Sequence, residues 1–87
     1  GAFDVTRAHA LDLFARAASE GRAGVTETDV IDTADAMLAD AKLGRQATLA
    51  AFGALRALAP TRAVARADAR LDHVDPVIRA LAVELSP

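Results

Sequence analysis

Arg62, Arg66 and Arg70 recur at i, i+4 and i+8, a spacing that stacks three guanidinium groups along one side of a continuous helix. A guanidinium stays charged and forks onto carboxylate or phosphate, so the ridge suits an acidic partner, a phosphate or an acidic helix. Its counterpart lies earlier in the chain. Glu27, Asp29, Asp32, Asp35 and Asp40 occur with no Lys or Arg before Lys42. Glu27, Asp32, Asp35, Arg62, Arg66 and Arg70 are therefore the candidate partner-binding residues, on two faces of opposite charge. Each run also has a plainer account. Acids are favoured near a helix N-terminus, and the arginines could face water beside Asp68 and Asp72, in exposed pairs that contribute about 0–1 kcal/mol each.

Other reactive groups are few. His9 and His73 are far apart. Asp72-His73-Val74-Asp75 offers polar atoms, but neighbouring residues on one turn do not converge on an ion, so no metal site is expected. The serines, Ser19 and Ser86, sit in no nucleophile motif, and the chain has neither a Walker loop nor a dinucleotide fingerprint. Gly21-Arg22-Ala23-Gly24 follows a helical pattern rather than a strand and reads as a turn. The absence of Cys excludes disulfides and thiolate chemistry. No Trp or Tyr and three Phe leave little for stacking on bases or sugars. The expectation is a protein that is not an enzyme and takes no cofactor and no small-molecule substrate.

The elements that carry these residues follow from composition and period. Eighty-seven residues allow one small domain, and 53% hydrophobic content is too much for a disordered chain. Half of those hydrophobic residues are Ala, 23 in all, which favours closely packed helices and leaves little room for a cavity. No strand-like alternation occurs. The spacing predicts a helix from about Val5 to Glu20, with Asp4 as N-cap and Leu11, Phe14, Ala15 and Ala18 inward, a face that Leu13, Ala10 and Ala17 widen. Gly21 and Gly24 turn the chain. Thr26 caps a second helix in a short-armed capping box with Asp29, and Val30, Ala34, Met37, Leu38 and Ala41 share its inner face. Gly44 stops it. A third helix spans about Arg45 to Leu58, buries Leu49, Phe52, Leu55 and Ala59, and ends at Pro60. Gly53 inside it suggests a close helix crossing. Thr61 caps a shorter helix reaching Arg70. Asp75 and Pro76 open the last one, with Val77, Ile78, Leu81 and Leu85 inward.

Two stretches resemble known motifs. The second helix, Gly44 and the third helix resemble a helix-turn-helix, which implies that Arg45, Gln46 and Thr48 face bases and Arg56 a phosphate. Aligned on Gly44, the chain departs from that pattern: Asp40 stands where a small residue belongs and Gly53 where a bulky one does. The acidic run and the net charge of −2 also oppose a polyanion. Residues 8–41, with Ala8-His9-Ala10-Leu11-Asp12-Leu13 and Val25-Thr26-Glu27-Thr28-Asp29-Val30, resemble the helical lid of AAA+ ATPases. The pattern is also that of any helix, turn and capped helix, and a lid alone binds no nucleotide.

The reading is an all-α compact bundle of four to five short helices in one domain. Its expected function is a non-catalytic protein–protein interaction or docking module that binds another protein or a second copy of itself, with helix-turn-helix-like DNA binding as the alternative. No run reaches the roughly 18 apolar residues of a membrane span. A chain without Cys or a secretory leader is expected in the cytoplasm. Its richness in Ala, Arg and Asp fits a GC-rich bacterial genome. It starts at Gly1 with Met37 as its one methionine, as an excised or processed piece does.

Overall fold

The computed structural model describes residues 2–87 as five α-helices: α1 (Ala2–Ser19), α2 (Glu27–Leu38), α3 (Arg45–Leu58), α4 (Pro60–Asp68) and α5 (Pro76–Leu85). Among the described residues there is no strand. The architecture is the all-α bundle that the periodicity predicts. No helix is long and apolar enough to cross a membrane.

Local chemistry explains most of the boundaries. Gly21 and Gly24 both adopt positive φ, 68° and 69°, the first just before a single 3-10 turn (Arg22–Gly24) and the second at its end. Only glycine does this at no steric cost. The Thr26 hydroxyl accepts the Asp29 amide at 3.2 Å and the Asp29 carboxylate accepts the Thr26 amide at 2.9 Å, completing the capping box. Asp75 accepts the Val77 amide at 2.9 Å, and Pro76 fills the first position of α5.

Val77 of α5 and Leu13 and Ala10 of α1 are exposed rather than inward, and four further expectations need correction. First, α1 begins before Asp4, which is not its cap. The Asp4 carboxylate reaches across to α3 and accepts the backbone N–H groups of Gln46 and Ala47, both at 2.8 Å. Gly44, at the N-cap of α3, has no side chain with which to do so. A Cβ at Gly44 would overlap the Asp4 carboxylate, so this glycine is needed for close approach rather than for its backbone angles.

Second, α2 stops at Leu38, leaving Ala41 exposed beyond its end. The Leu38 carbonyl, which a continuing helix would give to the Lys42 amide, accepts from Arg70 instead, while that amide turns to the Asp40 carboxylate. Third, α4 starts on Pro60 rather than on a Thr61 cap and ends at Asp68 rather than Arg70. Proline at the first helical position loses no hydrogen bond. Fourth, Gly53 marks no crossing: it is exposed, and a Cβ there would meet nothing within 4 Å.

The core joins Leu11 of α1, Val30, Ala34 and Leu38 of α2, Ala47, Ala51, Phe52 and Leu55 of α3, Ala63 and Ala67 of α4, and Ala82 of α5. Ile78 is buried as well. Helix α3 is central and packs against each of the other four. The molecule is flat, 38 × 31 × 16 Å, so its helices cover one another incompletely.

Candidate docking surfaces

The two charged runs meet each other. Helix α4 lies beside α2, and Arg62 Nη1 stands 3.2 Å from Asp32 Oδ1 and 3.8 Å from Asp35 Oδ2. Arg66 Nε donates to Asp35 Oδ1 at 2.8 Å. The hydrogen bond from Arg66 holds the Asp35 carboxyl below the ordinary aspartate value against the opposing effect of burial, and Asp35 in turn raises Arg66. The ridge therefore pairs with α2, not with Asp68 or Asp72. Glu27 stands apart from this seam, exposed in the first turn of α2.

Arg70 departs furthest from the ridge reading. It is only 4% exposed. Its Nη2 donates to the carbonyls of Leu38 at 3.0 Å and Asp40 at 3.1 Å, closing the C-terminus of α2, where a cation also meets the negative end of the helix dipole. Its guanidinium carbon lies 5.7 Å from the centre of the Phe52 ring. Burial, and then the charge of Arg66, lower its affinity for its proton, and Asp40 opposes them. Of the six candidate residues, four form the seam, Arg70 is internal and Glu27 is exposed.

Of the four residues that the helix-turn-helix resemblance assigns to DNA, Arg45, Thr48 and Arg56 have side-chain partners within the chain and Gln46 is exposed. Arg45 forks onto Asp75 at 2.7 and 3.2 Å. Thr48 is fully buried and its hydroxyl donates to the Gly44 carbonyl at 2.7 Å. Arg56 pairs with Glu84 at 3.2 Å. The Asp4 carboxylate occupies the start of α3, where such a fold presents its recognition helix. Hydrogen bonding from the Ala47 amide, reinforced by Gln46 and the charge of Arg7, keeps that carboxyl below its ordinary value. His73 is likewise committed locally, its Nδ1 accepting the Asp75 amide at 3.0 Å.

What remains uncovered is apolar. A groove of about 430 Å³ between α1 and α2 is lined by Arg7, Ala10, Leu11, Phe14, Thr33 and Met37. On α1, residues 3, 7, 10 and 14 share one side, which places Phe3, 86% exposed, in line with the groove. Leu13 is half exposed on the adjoining flank. A second opening of about 450 Å³, between α1 and α3, runs past Asp12, Leu49, Gly53 and Ala57. Sequence reasoning missed the groove because it assigned Phe14 and Met37 to the core; both pack against the core while lining the opening. The one available signal was Phe3, an aromatic four residues before Arg7 on the same side.

Comparisons with known protein families, with characterised proteins and with solved structures find no match.

Proposed function

We propose that the chain is a non-catalytic protein–protein interaction module that pairs with a second copy of itself through the groove between α1 and α2. The observation that carries this reading is Phe3, projecting into solvent in line with an apolar groove on its own helix. A two-fold interface needs one surface that holds both the projection and the hollow, because each copy contributes both. Phe3 and Phe14 are eleven residues apart, roughly 16 Å along the helix. Two α1 helices laid antiparallel about a point midway between them bring the Phe3 of each copy to the Phe14 end of the other's groove.

Charge favours the same arrangement. Outside the α4 seam, α2 and the turn after it carry Glu27, Asp29 and Asp40, with no base among residues 27–41. On its groove side α1 carries Arg7 and no acid. The α1 of one copy thus brings the Arg7 cation toward the acidic rim of α2 in the other. Such charges steer approach, while apolar burial supplies most of the affinity.

Light scattering after size exclusion tests this directly. The expected result is a mass approaching twice 9.0 kDa as concentration rises, little changed by salt. Phe3→Ser and Leu13→Ser replace exposed residues, so both variants should fold and stay monomeric. A chain that remains monomeric at concentrations on the order of 1 mM overturns the second copy as occupant. So does a dimer that survives both substitutions.

A further inference from the structure

Arg70 is a buried cation with no carboxylate within ion-pairing distance among the described residues. Desolvating a charge against neutral partners alone is expensive, and buried charges are usually paired. Only Nη2 is engaged, by the two carbonyls at the end of α2. Nε and Nη1 donate to no described protein atom, yet no sealed side-chain nitrogen is left without a partner. Both nitrogens therefore reach accessible space.

A hollow of about 150 Å³, lined in part by Arg70, lies between the end of α2 and the end of α4. Arg66, Arg70 and His73 supply its polar lining, and the rest comes from Leu38 and alanines. Arg66 commits Nε to Asp35, leaving its two terminal nitrogens without a described acceptor. His73 accepts the Asp75 amide on Nδ1, an assignment that puts the proton of the neutral ring on Nε2, as a donor. No carboxylate is among the lining residues: Asp35 is engaged by Arg66 and Arg62, Asp40 accepts the Lys42 amide, and Asp68 and Asp72 are exposed.

We infer that this hollow is a binding site for a small tetrahedral oxyanion of the phosphate type, held by Arg66, Arg70 and His73. Three lining side chains each keep N–H groups without a described acceptor, a donor set suited to oxygens that point in several directions. A planar carboxylate is matched by a single guanidinium fork. The bound anion adds a countercharge in direct contact with Arg70, which the Asp40 carboxylate acts on only from beyond ion-pairing distance.

The test is a titration with inorganic phosphate at constant ionic strength, followed by nitrogen–proton NMR of the arginine Nε and histidine ring groups. The Arg66, Arg70 and His73 signals should shift saturably with phosphate and not with chloride. Arg66→Gln should weaken phosphate about tenfold, the factor for losing one charge-assisted hydrogen bond. His73→Asn keeps an acceptor for the Asp75 amide, removes the ring donor and should also weaken binding. Both variants leave Arg70 in place, so a folding defect at that position does not obscure the result. Equal responses to phosphate and chloride, an equal response to acetate, or phosphate binding indifferent to both substitutions would overturn the site.

Discussion

Helix α2 has two flanks that meet their neighbours in different ways. On one, Asp32, Asp35 and the Leu38 carbonyl meet Arg62, Arg66 and Arg70 across from α4. On the other, Thr33 and Met37 look across an open groove toward α1. The flank whose charges stand out in the sequence is satisfied within the chain. The flank with one methionine and one threonine to advertise it is uncovered. Conspicuous charge marks a place where partners are needed, and the same chain can supply them. An incompletely covered apolar flank has no partner until another chain provides one.

The largest expected effect tests the element that both flanks share. Leu38→Ala removes a buried side chain from α2 and should cost about 2–5 kcal/mol in urea unfolding. An unchanged midpoint would mean that α2 is not anchored as described. Arg70→Met comes next. It retains bulk over Phe52 but strips the carbonyls of Leu38 and Asp40 of their donor, at a cost of about 1–3 kcal/mol. A variant as stable as the parent would return Arg70 to the status of a surface ridge residue. Gly53→Ala should act in the opposite direction, adding about 1 kcal/mol, because the helix gains propensity and the new methyl meets nothing. A loss of stability there would restore the close crossing.

The smallest effect concerns the charged seam. Asp35→Asn should cost about 0.5–1 kcal/mol at neutral pH, since the pair is only partly shielded from water. Its acid profile provides the sharper reading. The Asp35 carboxyl is held below its ordinary value of 3.8 when folded. Its stabilisation is therefore complete above the unfolded value and is lost as pH falls through the lowered folded one. The asparagine variant should show a shallower decline in melting temperature below about pH 4. Parallel acid profiles for parent and variant would remove the seam from the account of stability.

The fold was largely legible because its signals are local. Thr26 with Asp29, Asp75 with Pro76, and the stripe of Phe52 and Leu55 each act within a turn or two, and the structure realises all of them. What could not be read depends on which helices become neighbours. Asp4 has the right chemistry for a cap, but the helix it caps is some forty residues downstream. Arg70 continues the spacing of Arg62 and Arg66, yet α4 ends before it and the chain bends inward there. Gly53 has the composition of a helix contact without the neighbour. In each case the residue type announced an interaction, and only packing decided with what.

The bridge from Asp4 to Gln46 and Ala47 has a consequence for how motion spreads. The first turn of α3 depends on a carboxylate carried by α1, so opening the start of α1 also releases two amides in the middle of the chain. Hydrogen exchange at Gln46 and Ala47 then reports the docking of residue 4, and opening at the start of α1 is felt at the centre of the bundle. The start of α1 and the first turn of α3 are thereby expected to open and close together, as one cooperative unit.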